Sequence, residues 1–290
     1  MDLDEYQRAA AGTDIRPDPR EPLLPLLGLA GEVGSLVTEY KKRLRAGEMY
    51  SGFADEVRED LGDLMWYAAT LARTLGLTLS DIAAANLAKT AAIWGDQLQP
   101  PSQYDAAYPL DQRLPRQFQV RFAVAVGSDG LPRAKMYLGA TEIGDPLDDN
   151  AYEEDHYRFH DAFHLAYAAV LGWSPVIRRL MKRKRKSAVA VDRVEDGARA
   201  NVLEEGLAAF VFSEASSHAF FDGATQVDWD LLKTARRMVR HLEVGDQTPN
   251  AWRSAILQGY AVWRDLRAHD GGLVTADLDQ RTLRWEPASA

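Results

Sequence analysis

Apolar residues recur every three or four positions over 26–45, 54–75 and Leu79–Trp94, the period of amphipathic helices. In the first segment Leu26, Leu29, Val33, Leu36, Val37 and Tyr40 form one stripe, which predicts a buried face. The second carries Leu61, Leu64, Met65, Trp66, Tyr67 and Leu71 toward a core. Ser80, ahead of Asp81-Ile82, is the capping candidate for the third. The pattern then changes. Pro100, Pro101, Pro109, Pro115, Pro132 and Pro146 punctuate 97–150. Within that stretch two extended runs, Gln117–Val126 and 133–141, flank the turn signal Ser128-Asp129-Gly130, which predicts a β-hairpin. Helical periodicity returns over 151–270, with breaks at 172–175, 187–192, 223–227 and 245–249. The tail after Gly271 reads as short extended structure or coil. No internal repeat or low-complexity tract interrupts the chain.

The expectation is a mainly all-α protein: a helical domain over 1–97, a linker with a short β-hairpin over 98–150, and a second helical domain over 151–290. A length of 290 residues suits two domains, and 46% hydrophobic with 27% charged residues is a globular composition. The start, Met1-Asp2-Leu3-Asp4-Glu5, is too acidic for a signal peptide. The apolar stretch at 23–30 is short and broken by Pro25, so no membrane association is expected and the cytoplasm is the expected location. With no cysteine, any metal must rest on carboxylates and histidines. A net charge of −9 makes nucleic acid an unlikely partner, yet suits a protein that gathers carboxylates around divalent cations.

Such carboxylates are present. Glu32 and Glu39 lie two turns apart on the first of these helices. Glu56, Glu59, Asp60 and Asp63 lie on the second, where Asp60 and Asp63, three apart, share a face. The spacing alone admits two readings, a solvated acidic face or a cation site. Asn86 and Lys89, three apart on the Ala-rich third helix, add an orienting amide and an ammonium suited to phosphate.

Three segments together carry a resemblance: 27–36 (LGLAGEVGSL), 59–67 (EDLGDLMWY), and Asp81-Ile82-Ala83 with Asn86-Leu87-Ala88-Lys89. Over roughly 20–95 the chain resembles the MazG-like family of all-α nucleotide pyrophosphohydrolases. The resemblance implies a helical bundle that converts nucleoside triphosphates, modified ones or alarmones among them, to monophosphate and pyrophosphate. It implies Mg²⁺, with Mn²⁺ able to substitute, and a homodimer or higher homo-oligomer that completes a half-bundle, unless the second domain completes it in cis. Carried over, Glu32, Asp60, Asp63 and Lys89 are the catalytic residues, Asn86 and Lys89 bind substrate, and Glu32, Glu59, Asp60 and Asp63 hold metal. Ser35 stands where the family has a second glutamate, and Asp60 replaces a glutamate. Glu39 or Glu59 is expected to restore the charge missing at Ser35. The rival to hydrolysis is a sensing module with a degenerate site.

In the second domain His156, His160 and His164 repeat every four residues, which predicts one helix face and a possible second metal site. Glu195-Asp196 and Glu204-Glu205 lie downstream. His160-Asp161 resembles the dyad of HD phosphohydrolases, without that family's other spacings, and places a second phosphohydrolase centre among the alternatives. The competing reading packs these histidines inside a helix interface. Seven of the nine positions 178–186 are Lys or Arg, read either as a solvated helix end or as a phosphate-recruiting patch. Trp173, Trp229, Trp252 and Trp263 are expected in the core.

Overall fold

A computed structural model describes residues 1–94 and 103–288. The expected domain boundary at 97/98, with Pro100 and Pro101, lies outside the described residues. The chain divides into two compact units, Met1–Ala91 and Ala92–Ala290.

The first unit is built from α1 (Leu3–Ala11), α2 (Leu23–Ala46), α3 (Phe53–Thr74) and α4 (Leu79–Trp94). A reciprocal capping box opens α1: Glu5 N–H donates to Asp2 Oδ1 at 2.7 Å and Asp2 N–H to Glu5 Oε2 at 2.9 Å. Pro25 falls in the first turn of α2, where a missing N–H does no harm. Helices α2 and α3 form an antiparallel pair. Tyr40 meets Phe53 edge-on at 5.9 Å, and twelve residues back along α2 a Cβ on Gly28 would overlap the Tyr67 ring. These two contacts set the register, bringing Glu32 level with 62–63 and Ser35 level with Glu59. The start of α4 is not capped by Ser80. Thr78 Oγ1 accepts the Asp81 N–H at 3.0 Å instead, while Gln7 and Asp4 of α1 accept from Leu79 and Ser80. The stripe on α2 is also not buried in the single chain: Leu26, Val33, Val37 and Tyr40 are exposed, Val37 at 62%.

Among the described residues the second unit is a five-stranded antiparallel sheet of order β3-β2-β1-β4-β5 together with six α-helices. Its strands are β1 (Gln117–Val126), β2 (Pro132–Leu138), β3 (Thr141–Leu147), β4 (Gly271–Asp277) and β5 (Thr282–Glu286). The expected hairpin forms as β1–β2, with Gly130 at φ 80° in its turn. It is not a connector, however. β1 is the central strand and pairs on its other edge with β4, which comes from the tail expected to be short or irregular. Phe118, Val120 and Phe122 alternate into the core with period two.

Helices α5 (Asp161–Ala166), α6 (Pro175–Leu180), α7 (Val189–Val194), α8 (Ala198–Ser216), α9 (Trp229–Met238) and α10 (Pro249–His269) complete the unit. α10 is its spine, burying Trp252, Ile256, Tyr260, Trp263 and Leu266 along one face. At Gly259 an added Cβ would lie 3.1 Å from Ala166 Cβ, so the glycine lets α5 press against α10. Trp173, Trp252 and Trp263 are buried as expected, and Trp229 is half-buried. Among the described residues no helix is long and apolar enough to cross a membrane.

Candidate functional site

In the first unit the α3 carboxylates are graded by burial. Glu59 and Asp63 are exposed, while Asp60 is half-buried. Asp60 Oδ2 is shielded from solvent and accepts no hydrogen bond among the described residues. Its field, with that of Glu56, reaches the Lys42 ammonium and the Tyr50 hydroxyl and raises the pKa of both, behind the larger effect of Glu39. The charge of Asp63 is felt on the other side, at Tyr6 of α1. Glu32 is half-buried on α2, whereas Asn86 and Lys89 are exposed on α4.

Glu39 differs from the expectation that it stands in for the charge missing at Ser35. It is buried, accepts from Lys42 Nζ at 2.6 Å and from the Tyr50 hydroxyl, and these bonds hold its pKa below the usual carboxylate range. Both oxygens are therefore committed to structure. Only exposed Glu59, level with Ser35, is left to supply that charge.

The first-unit carboxylates suit a hard divalent cation in donor type, and the partnerless Asp60 oxygen is what such an ion would satisfy. No three of them bring ligand atoms within 4.8 Å of one another.

The second unit gathers a tighter set. His160, Asp161 and His164 bring ligand atoms within 4.8 Å of one another. The single helix face expected for three histidines does not form. His156 has φ 63° and lies outside any helix, where Asp149 Oδ2 accepts its N–H at 3.2 Å and its ring contacts Arg158 at 2.9 Å. His164 is wholly buried on α5. Its Nδ1 meets Glu204 Oε1 at 2.9 Å and its Nε2 meets Glu205 Oε2 at 3.1 Å. Glu204 is itself held by the Ser174 hydroxyl at 2.6 Å and the Val176 N–H at 2.8 Å. Burial alone would favour neutral imidazole at His164, but the charge and hydrogen bond of Glu204, then Glu205, outweigh it and raise the pKa to about 10. Although burial opposes it, His160 and His164 push the Glu205 carboxyl well below its ordinary range. Burial raises the Tyr157 hydroxyl, helped by the negative charges of Glu205 and Asp161.

Residues 99–289, the greater part of the chain, match the MazG C-terminal domain family. The chain belongs to that family. It is also similar to the Gene 37 protein of Mycobacterium phage L5, at 39% identity over 97 residues, which is 31% of this chain and 85% of that protein. No solved structure matches.

Within this MazG C-terminal domain the basic run is split: Arg179, Lys182 and Lys186 are exposed, while two of its cations are built into the interior. Arg178 and Arg185 are buried, and their partners come from far along the chain. Arg178 donates to Asp105 at 2.7 Å, and Arg185 donates to Asp196 and Glu243, each at 2.7 Å. Helix α6 stops at Leu180, and Lys182 at φ 58° turns the chain so that Arg185 enters this network.

Ser35 offers a direct test of the first-unit site. A glutamate there would project one turn from Glu32, level with Glu59. With Glu59 left to supply that charge, Ser35→Glu adds a surplus carboxylate and is expected to lower turnover through like-charge repulsion without tightening the Mg²⁺ dependence. A Mg²⁺ titration checks it; a lower half-saturating Mg²⁺ concentration with faster turnover in the variant would show that the position is vacant.

Proposed function

We propose that the first unit of this MazG-like chain hydrolyses nucleoside triphosphates to monophosphate and pyrophosphate, using Mg²⁺ or, in its place, Mn²⁺. The observation that carries the reading is the Asp60 oxygen, shielded without a partner on the helix that also bears Asp63. A shielded carboxylate oxygen without a hydrogen bond is an acceptor that a bound cation would satisfy. Glu32, Glu59, Asp60 and Asp63 would hold the ion. When bound, Mg²⁺ supplies Lewis acidity toward the phosphoryl oxygens. Asn86 would hydrogen-bond and orient the phosphate chain, and the Lys89 ammonium would neutralise charge developing on departing pyrophosphate. Lys89→Ala is accordingly expected to weaken kcat/KM by about 10-fold, roughly 1.4 kcal/mol. Unchanged kinetics on every hydrolysed substrate would remove Lys89 from the mechanism.

The exposed α2 stripe supports a second copy of the chain as the element that completes the bundle. Sedimentation equilibrium is expected to give a dimer or higher oligomer; a monomer at working concentration would leave completion to the second unit. Ser35 favours one other reading, a sensor that binds nucleotide without cutting it. Anion-exchange analysis of products from canonical and modified triphosphates and alarmones, with Mg²⁺ or Mn²⁺, separates the two. Monophosphate plus pyrophosphate supports hydrolysis, whereas saturable binding with no product supports the sensor.

A further inference from the structure

We propose that His160, His164, Asp161 and Glu205 of the second unit form a binding site for a divalent first-row transition metal, separate in residues and in metal preference from the Mg²⁺ carboxylates. The geometry starts outside the ligands. The backbone carbonyl of Tyr157 lies 2.9 Å from His160 Nδ1, so that nitrogen must carry the proton and donate it, and Nε2 keeps its lone pair. Glu204, anchored in turn by Ser174 and Val176, accepts from His164 Nδ1, which leaves Nε2, facing Glu205, as the nitrogen whose proton a metal ion would displace. Acceptors placed behind both imidazoles in this way fix tautomer and ring direction, as around metal-ligating histidines generally. The Tyr157 ring, stacked on His160 at 4.4 Å and 9°, further restricts its rotation.

The front of the site meets the same requirement. Glu205 Oε2 lies 3.1 Å from His164 Nε2 and 3.6 Å from His160 Nε2. Donors each about 2.1 Å from a shared ion sit roughly 3.0–3.4 Å apart, so Glu205 and the two imidazoles need little movement, while Asp161, which makes no ion pair with either ring, would have to move inward. Asp161 supplies an independent observation. It is only 6% exposed, its carboxylate reaches into the same 4.8 Å cluster, and its side chain makes no hydrogen bond or ion pair among the described residues. A carboxylate on a residue this buried, without a protein partner and clustered with two imidazoles, suits a cation. Two nitrogens with two carboxylates select Mn²⁺, Fe²⁺, Co²⁺, Ni²⁺ or Zn²⁺ over Mg²⁺ and Ca²⁺, which take oxygen ligands. Glu205, partly exposed at the rim, gives the ion access to solvent.

Co²⁺ titration of the chelator-treated full chain, followed by visible d–d absorption and calorimetry in excess Mg²⁺, tests the site without reference to hydrolysis. The proposal expects one tight equivalent, kept in Asp60→Asn and His156→Ala and weakened at least about 10²-fold in His160→Ala and Glu205→Gln. His160 and Glu205 are substituted because they are less enclosed than His164, and circular dichroism verifies that each variant is folded. Wild type that binds no Co²⁺ in excess Mg²⁺, or folded His160→Ala and Glu205→Gln that bind it like wild type, would overturn the proposal.

Discussion

Asp60→Asn is expected to lower kcat/KM for triphosphate hydrolysis by on the order of 10²–10³-fold while leaving the protein as stable as wild type, or more so. The two effects have one origin. Asp60 Oδ2 is shielded and accepts no hydrogen bond, so replacing the carboxylate with an amide removes a charge that only the field of the Lys42 ammonium offsets. The same change takes away a ligand and a negative charge from the proposed cation site. A solvated acidic face would behave otherwise: neutralising one exposed charge would alter neither stability nor rate by much. Steady-state kinetics and thermal unfolding of the variant decide between them. Asp63→Asn is expected to match it in lost activity with little effect on stability, because Asp63 is exposed. Full turnover in either folded variant contradicts the site.

The largest expected stability effect lies in the second unit. Arg185→Met should destabilise it by about 3–5 kcal/mol, the usual result of removing one partner from a buried ion pair. Arg185 and Asp196 are both 0% exposed, and three hydrogen bonds from Arg185 satisfy Asp196: N–H at 2.6 Å, Nε at 3.2 Å and Nη2 at 2.7 Å. Methionine fills part of the volume but leaves Asp196 with the Arg178 guanidinium at 3.9 Å as its nearest remaining cation. Urea unfolding followed by fluorescence of the buried Trp173, Trp252 and Trp263 measures the loss. A change below about 1 kcal/mol would mean that the network is solvated in solution.

This network also marks where the sequence stops being legible. Seven cations in nine positions look like a solvated helix end, because the charges that bury two of them come from Asp105, Asp196 and Glu243. Local periodicity carries no trace of such partners. The histidine repeat fails for a related reason. Its four-residue spacing is helical in pattern, yet Asp149 and Asp155 side chains capture backbone N–H groups at His156, Tyr157 and Arg158, so helix α5 starts only at Asp161. Of the cluster that does form, His160, His164 and the Glu204-Glu205 pair were visible as candidates, while Asp161 stood out only as half of a weak dyad. What was legible is what neighbours decide: the β1–β2 hairpin from alternation around a Gly turn, the breaks at 172–175 and 245–249, and the tryptophan core. Each of those breaks ends in a Ser or Thr cap followed by proline at the first helical position, Ser174-Pro175 and Thr248-Pro249. The extent of the sheet was hidden because β4 pairs with β1 across about 150 residues.

We propose that the hydrolysis in the first unit proceeds by attack of water at the α-phosphorus, with no enzyme-bound intermediate. Hydrolysis in ¹⁸O-labelled water with Mg²⁺, with both products examined by mass spectrometry, tests it most directly. The account predicts one ¹⁸O in the nucleoside monophosphate, none in pyrophosphate, and loss of the reaction in Asp60→Asn. Label in pyrophosphate, products of nucleoside diphosphate and phosphate, or undiminished reaction in Asp60→Asn would contradict it.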